Sequence, residues 1–265
     1  MLQYPNINPV AFHVYTWPVY WYGLMYLVGF LGGWGVLALR VRKSPRGFNQ
    51  DQLSDIVFYA AIGAIIGGRL GYVVFYDWDK FSVNPLLIIE TWKGGMSFHG
   101  GLLGVLIGML MCSYKFDKPF LAITDLISPA VPIGLGAGRI GNFINGELWG
   151  KVTEASWGMI FPNAGDLPRH PSQLYEFALE GVLLFIILWW YSRKPRPLGA
   201  VSGMFALLYG VFRFGVEFVR VPDPQIGYIA FGWFTQGQLL SVPLILIGEL
   251  LIVSAYRKQD KRASI

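Results

Sequence analysis

Long apolar segments alternate with short polar ones along almost the whole chain. Most of the apolar segments approach or exceed the roughly 20 residues that a helix needs to cross a bilayer. The pattern therefore predicts an all-α, polytopic membrane protein, with residues 1–265 forming a single integral membrane domain. About seven transmembrane helices are predicted, near residues 17–39, 53–76, 98–114, 120–138, 173–191, 199–219 and 232–256.

Glycines at four-residue spacing occur in three of the predicted helices. This spacing lets the backbones of two helices approach closely in lipid. We therefore expect helix-packing grooves at Gly29 and Gly33, at Gly63, Gly67 and Gly71, and at Gly134 and Gly138.

The composition supports a membrane protein and argues against a water-soluble domain. Hydrophobic residues make up 54% of the chain and charged residues only 14%, whereas soluble domains carry about 25% charged residues. The first apolar segment is too long for the apolar part of a cleaved signal peptide, so we interpret it as the first span. Cys112 is the only cysteine, which excludes an intrachain disulfide and a cysteine-based metal site.

The distribution of lysine and arginine predicts the orientation. Thirteen of the 21 basic residues fall in connections on one side of the predicted helices: Arg40, Arg42, Lys43, Arg46, Lys115, Lys118, Arg193, Lys194, Arg196, Arg257, Lys258, Lys261 and Arg262. The other side has six: Lys80, Lys93, Arg139, Lys151, Arg169 and Arg220. Because basic loops stay in the cytoplasm, the N-terminus is expected outside and the C-terminus inside. This bias explains the net charge of +5 without a nucleic-acid partner.

Charged residues inside the predicted helices are costly unless they face a protein interior or a wet cavity. Arg213 and Glu217 lie four residues apart on one helical face, and Arg220 continues that face outward. Two interpretations are open. The pair fixes helix packing, or the arginines form a cationic site for an anionic group, because the forked guanidinium matches phosphate geometry.

Other buried charges have simpler interpretations. Glu176 and Glu180 share a helical face and are candidates to neutralise Arg69 or Arg213. Asp125 is expected to bond a helix end or an arginine. Glu249 is expected to be structural.

His99 begins the third predicted helix at its outer end, between pairs of glycines. An imidazole can take up a proton near neutral pH. A lone histidine is also often a hydrogen-bonding anchor, so both interpretations are open. His170 lies on the same side just before a helix start, where capping or anchoring suffices.

The segment GRIGNFINGELWG, residues 138–150, combines glycines with a cation, two amides and a carboxylate. It opens a predicted outward-facing loop region at residues 139–172. Taken alone, it is explained as a helix-ending turn. However, several donors and charges fall toward the same membrane face, where they suit a phosphate and its glycerol hydroxyls: His99, Arg139, Asn142, Asn145, Glu147, Arg169 and Arg213.

Five motifs carry a family resemblance. They are VYWYGLMYLVGF (19–30), GGMSFHGGLLG (94–104), GLGAGRIGNFINGELWG (134–150), RHPSQLYE (169–176) and YGVFRFGVEFVRVPD (209–223). In this order, over essentially the whole chain, they closely resemble the bacterial prolipoprotein diacylglyceryl transferases. The outer loop at 151–168 is shorter than in some members, so peptide contacts there are not carried over. Tyr20 replaces a histidine of some members, which argues against catalysis at that position.

The resemblance implies a reaction, its partners and its place. The sn-1,2-diacylglyceryl group of phosphatidylglycerol is transferred to the lipobox cysteine thiol of a preprolipoprotein, a thioether forms and glycerol-1-phosphate leaves. The implied location is the bacterial inner membrane, with the site toward the periplasm. No cofactor and no metal are expected.

Roles follow for the candidate residues. We assign thiol deprotonation to His99 and stabilisation of the departing phosphate to Arg139 and Arg213, since aimed cations in a water-poor site can supply several kcal/mol. The expected substrate-binding residues are Tyr22, Arg139, Asn142, Asn145, Glu147, Gly150, Glu217 and Arg220. Within this set the amides bind headgroup hydroxyls or hold the loop, the two glutamates orient the arginines, and the glycine permits a tight turn.

Three rival functions are compatible with buried charges in a membrane protein. A transporter or flippase would use the same charges but release no glycerol phosphate. An intramembrane protease is disfavoured because Ser97 and His99, two apart on a helix, do not face each other, and no nucleophile-elbow sequence is present. A structural scaffold leaves the polar cluster of the outer face unexplained.

Overall fold

The structure is a computed structural model that describes residues 2–42, 46–89, 94–222 and 226–263. The helices are α1 (Trp21–Val41), α2 (Gln50–Tyr76), α3 (Trp78–Val83), α4 (Phe98–Phe116), α5 (Phe120–Ile127), α6 (Val131–Ile144), α7 (Ser172–Glu176), α8 (Leu184–Tyr191), α9 (Ala200–Val216) and α10 (Gln236–Ala263). A π-helix, Phe177–Leu183, joins α7 to α8, and a 3-10 turn spans Pro85–Ile88. The strands are β1 (Leu2–Gln3), β2 (Val10–Val14), β3 (Trp17–Tyr20), β4 (Met159–Ile160), β5 (Tyr228–Ala230) and β6 (Phe234–Thr235). Of the cations used to predict orientation, Lys43 and Lys93 lie outside the described residues.

Five helical segments of the described residues are long and apolar enough to cross a membrane. They are α1, α2, α4, the continuous stretch from α7 to α8, and α10. A sixth is obtained if α5 and α6 count as one bent span, and α9 is a shorter apolar helix of 17 residues. The structure is therefore that of a mostly helical, polytopic membrane protein. The count of seven spans stays a prediction.

Three features of the helix prediction need correction. Residues 17–20 form β3, paired antiparallel with β2, so α1 begins at Trp21. Arg139 lies inside α6, so the loop region begins near Asn145 rather than at residue 139. Two further short pairings, β1 with β4 and β5 with β6, make the fold less than all-α. The reason is that apolar runs continue from these strands into the helices, and hydropathy alone does not separate the two.

Residues Leu37–Leu126 form one of two compact units, here called the small unit. A capping box between Asn49 and Gln52 starts α2. The predicted glycine groove of α2 is confirmed, because a Cβ at Gly67 would lie 2.9 Å from the Cα of Gly104 in α4. Asp125 is fully buried, and its carboxylate pairs with Arg46 at 2.8 Å. Of the two partners expected for it, a helix end or an arginine, the arginine is therefore observed.

Residues Met1–Val36 and Ile127–Ile265 form the second compact unit, here called the large unit. Gly29 of α1 meets Gly134 of α6, as the spacing predicted, with a Cβ-to-Cα distance of 3.0 Å. The prediction was wrong for Gly138, where a Cβ would meet nothing within 4 Å. A contact that spacing did not suggest brings Gly136 of α6 against Gly181 of the π-helix. This approach places Arg139, the one charged residue of α6, beside Glu176 of α7 and Glu180 of the π-helix.

The N-terminal strand is tied to the end of α6. Strand β1 pairs in parallel with β4, and the next residue, Tyr4, is buried between Phe143 and Phe161. The Tyr4 hydroxyl donates to the carbonyl oxygens of Phe143 (2.8 Å) and Ile144 (2.6 Å). Burial raises the pKa of Tyr4 above its ordinary value, so the phenol keeps the proton that these bonds need.

Candidate active site

Three arginines of the large unit share one buried carboxylate, that of Glu176. Arg213 and Arg220 each place Nη1 2.5 Å from Oε1 of Glu176. Arg139 approaches the other oxygen, with 2.8 Å between Nε and Oε2. Glu176 ends α7 at the point where the helix widens into the π-helix, and its side chain is fully buried. We call these four residues, with Glu217 and Glu180, the arginine cluster.

The two other carboxylates complete the arginine cluster. Glu217 accepts from Arg213 Nη2, lies 3.2 Å from Arg220 Nε, and also receives the hydroxyl of Thr235 at 2.7 Å. Glu180 is more remote, with 3.7 Å between its Oε2 and Arg139 Nη2. Glu180 was expected to neutralise Arg69 or Arg213, and its ion pair among the described residues is with Arg139.

The arginine side chains of the cluster are partly exposed to solvent, whereas those of Glu176 and Glu180 are not. The arginine side chains retain 19% (Arg139), 17% (Arg213) and 15% (Arg220) of their accessible surface, whereas Glu176 and Glu180 retain none. The accessible part of the arginine cluster therefore belongs mainly to its cationic side chains, while the carboxylates of Glu176 and Glu180 are covered. In an apolar setting, such a surface suits an anion that accepts several charge-assisted hydrogen bonds.

The segment after Arg139 folds into a turn around Glu147. The Glu147 carboxylate accepts from Asn142 Nδ2 at 2.8 Å and from Asn145 Nδ2 at 3.4 Å. Gly146 has a φ of 65°, in the left-handed region that glycine adopts without strain. Gln173 of α7 donates to the Glu147 carbonyl at 2.5 Å, so the turn is fixed from the same helix that presents Glu176.

Tyr22 packs against the same turn of α6. Its ring lies so close to Gly141 that a Cβ there would come within 2.7 Å of it. Its hydroxyl lies 3.3 Å from that of Tyr26. Tyr22 therefore lies in the large unit with Arg139 and Asn142, and all three were predicted to be substrate-binding residues.

Comparison with known proteins identifies the family of the chain. The family model of the prolipoprotein diacylglyceryl transferases matches residues 9–254. The chain belongs to this family. A protein of Coxiella burnetii (strain RSA 331 / Henzerling II), named phosphatidylglycerol–prolipoprotein diacylglyceryl transferase, is 58% identical over 98% of this chain and 100% of its own length. A protein of the same name from Pseudomonas paraeruginosa (strain DSM 24068 / PA7) is 58% identical over 97% of both chains.

Membership in the prolipoprotein diacylglyceryl transferase family confirms the resemblance and makes the chain a transferase. The relatives are bacterial, and the apolar helices are those of a membrane protein. Five of the six residues of the arginine cluster come from three of the five motifs on which the resemblance was based, and the sixth, Glu180, lies just beyond the RHPSQLYE motif.

Two predicted roles in this transferase change once the geometry is known. Glu147 was expected to orient the arginines, but it binds the two amides of its own turn. Gly150 was expected to permit a tight turn. Instead, a Cβ at Gly150 would lie 2.5 Å from the Val219 carbonyl and 2.8 Å from His170, so this glycine permits close backbone contact beside Arg220.

Glu217 does orient arginines, as predicted, and Arg213 and Arg220 follow one stripe. The amides of Asn142 and Asn145 hold the turn, one of the two roles proposed for them. His99 is the second residue of α4 in the small unit, exposed, with its ring against Phe98. Its role as a base stays a prediction.

Glu176 is more central than its predicted role as a neutralising partner. It accepts all three arginines of the arginine cluster. Two signals in the sequence point to it: it is a carboxylate inside a membrane helix, and it ends the RHPSQLYE motif.

His170 has the anchoring role that its position suggested. Its Nδ1 lies 3.1 Å from the Tyr175 hydroxyl, which also receives Trp157 Nε1 at 2.7 Å. Partial burial lowers the pKa of His170 below its ordinary value, so the ring is neutral at pH 7.

Proposed function

We propose that this transferase moves the sn-1,2-diacylglyceryl group of phosphatidylglycerol to the lipobox cysteine thiol of a preprolipoprotein. The new bond joins the cysteine sulfur to the glycerol carbon that carries the phosphate, and the carbon–oxygen bond to that phosphate breaks. The products are a thioether and glycerol-1-phosphate. The names of the relatives support both substrates.

The observation that carries the proposal is the cationic face of the arginine cluster. A phosphodiester loses a carbon substituent in the reaction, so negative charge grows on its oxygens. Arg139 and Arg213, already oriented by Glu176, are assigned to that charge. Because their positions are fixed before substrate binds, little reorganisation is needed as the charge develops.

The other groups act on the nucleophile and the headgroup. Only the thiolate is competent to attack, so a base must take the thiol proton. We assign that step to His99. The turn formed by Asn142, Asn145 and Glu147 offers amide and carboxylate groups for the hydroxyls of the glycerol headgroup.

The site is proposed to face the periplasm in the bacterial inner membrane, with the N-terminus on the same side and seven helices crossing the bilayer. The large unit supports this orientation. The arginine cluster uses the C-terminal end of α9 and the N-terminal part of the continuous span from α7 to α8, whereas Arg193 and Lys194 lie at the opposite ends of the same two spans. Basic segments remain cytoplasmic.

The test uses purified protein, phosphatidylglycerol vesicles and a lipobox peptide, and it measures glycerol-1-phosphate release and peptide mass. Arg139→Ala and Arg213→Ala should each lose transfer by about two orders of magnitude or more, because each removes a donor to developing charge. Arg257→Ala is the matched control, since this arginine is exposed near the far end of α10. Unchanged turnover in both cluster variants would refute the phosphate-binding role.

Two substrate controls separate this reaction from its rivals. A peptide with serine in place of the lipobox cysteine should accept nothing. Vesicles of phosphatidylethanolamine should support little transfer, because that headgroup offers no second glycerol to the turn at Glu147. Vesicle lipid that moves between leaflets without release of glycerol phosphate would favour a flippase.

A further inference from the structure

Arg69 is a buried cation that the proposed mechanism does not use. It lies in α2 of the small unit and is 7% exposed. Its Nη1 donates to the carbonyl oxygens of Gly94 (2.6 Å) and Gly95 (2.9 Å), and its Nε donates to that of Ile88 (3.1 Å). Its guanidinium therefore binds the backbone on both sides of residues 90–93.

The residues that Arg69 holds lead directly into α4. Gly94 and Gly95 both have left-handed backbones, with φ of 81° and 84°. Two consecutive glycines have many accessible conformations, so this one must be selected by contacts. Gly95 also lies so close to Tyr72 that the ring leaves no room for a Cβ.

The start of α4 is fixed from the same turn of α2. The Ser97 amide donates to the carbonyl of Gly68, next to Arg69, at 2.8 Å. The Ser97 hydroxyl then caps α4 by accepting from the Gly100 amide at 3.2 Å. His99 is two residues beyond that cap, so its backbone position is set by residues 68–72 of α2.

We propose that Arg69 is a positioning residue for His99. It selects the backbone of Gly94 and Gly95, and through Ser97 this backbone sets the direction in which α4 presents the imidazole. The inference rests on the proposed function for its catalytic consequence. A displacement of about 1 Å at a reacting group can cost about 100-fold in rate, so a distant clamp of this kind is enough to control transfer.

The first test is spectroscopic and does not depend on activity. The chain has three histidines, His13, His99 and His170, so selective ¹³C labelling of histidine rings gives three signals, and His99→Gln assigns one. Arg69→Met keeps the length of the side chain but removes every donor. It should shift or broaden the His99 signal while His13 and His170 stay in place.

Arg40→Met is the matched control. Arg40 is another half-buried arginine of the small unit that donates to backbone carbonyls, those of Leu126 (3.2 Å) and Asp125 (3.4 Å). Its loss should leave all three histidine signals in place. A His99 signal unmoved by Arg69→Met, or equal changes in all three signals, would overturn the proposal.

The second test measures transfer. In Arg69→Met, kcat should fall about 10- to 100-fold with KM for lipid and peptide within about twofold, the pattern of a misplaced catalytic group. Arg69→Lys keeps one donor and should recover part of the rate. Near-full activity in His99→Gln would end the assignment of His99 as base, while the histidine signals would still decide whether Arg69 positions it.

Discussion

At the scale of single residues, the arginine cluster depends on Glu176. The three guanidinium groups around Glu176 would repel one another if this shared counter-ion were absent, because charges interact strongly where water is scarce. Glu176 accepts two of them on one oxygen and the third on the other. The carboxylate therefore sets the spacing of the donors that we assign to the phosphate.

Glu176→Gln should therefore abolish most transfer and lower the thermal stability. Removing one partner of a buried ion pair costs about 3–5 kcal/mol, and here three cations lose their common partner. Transfer rate and melting temperature in detergent measure the two effects. Glu249 was expected to be structural, but its carboxylate is exposed on α10, so Glu249→Gln should change neither. Wild-type turnover in Glu176→Gln would show that the arginines do not need this acceptor.

Tyr4 supplies a second prediction at this scale. Tyr4→Phe keeps the ring between Phe143 and Phe161 but removes the donor to two carbonyl groups at the end of α6. Leaving buried acceptors unpaired costs about 1–3 kcal/mol. The melting temperature should fall, and transfer should fall with it because the turn around Glu147 directly follows the end of α6.

Tyr15→Phe is the control for this substitution, since Tyr15 is 98% exposed at the tip of the β2–β3 hairpin. Equal melting temperatures for Tyr4→Phe and the unmodified protein would mean that the N-terminal strand does not support the end of α6.

At the scale of elements, glycine controls how closely α2 and α4 approach. The backbones of Gly63 and Gly104 are in contact, with the Gly104 Cβ direction blocked by the Gly63 carbonyl. Gly104→Ala must push the helices apart, and overpacking of this kind costs about 1–3 kcal/mol. The melting temperature should drop accordingly. Gly35→Ala, where a Cβ meets nothing within 4 Å, should be neutral; a similar loss there would argue against steric contact as the cause.

Helix positions were the most predictable part of the fold. Hydropathy located the central parts of the long apolar helices, because lipid demands such helices. It missed β3, whose residues Trp17–Tyr20 are as apolar as the helix that follows. It also ended α6 too early, since glycine and asparagine around Arg139 resemble a turn while tertiary contacts keep the segment helical.

Most residues of the candidate site could be predicted from the sequence, but fewer of the contacts between them could. Charges in apolar helices marked Arg213 and Glu217, and four-residue spacing predicted their pairing correctly. The pairing of Glu176 with Arg213 was one of two alternatives expected from the sequence, but spacing cannot show that Glu176 also accepts Arg139 and Arg220, nor which backbone groups Arg69 binds. Gly150 shows the same limit, because its neighbours Val219 and His170 come from other parts of the chain.

At the scale of the whole molecule, the opposite ends of the large unit differ in charge. The arginine cluster is internally balanced by glutamates, whereas Arg193, Lys194 and Arg257 are exposed at the other helix ends. Thr235, which donates to Glu217, directly precedes α10, and the helix from Gln236 to Arg257 is roughly 30 Å long. That distance matches a bilayer core, so the two ends are expected on opposite sides of the membrane.

Thiol labelling can test this orientation with little disturbance. Cys112 is fully buried and is the only cysteine, so Cys112→Ala gives a thiol-free background. Asn163→Cys adds a thiol to the loop after α6, and Lys194→Cys adds one between α8 and α9; both positions are exposed. A membrane-impermeant maleimide added to intact spheroplasts should label the first and spare the second, and detergent should make both react. The reverse pattern would place the arginine cluster in the cytoplasm, where it would not meet a lipobox cysteine exported across the membrane.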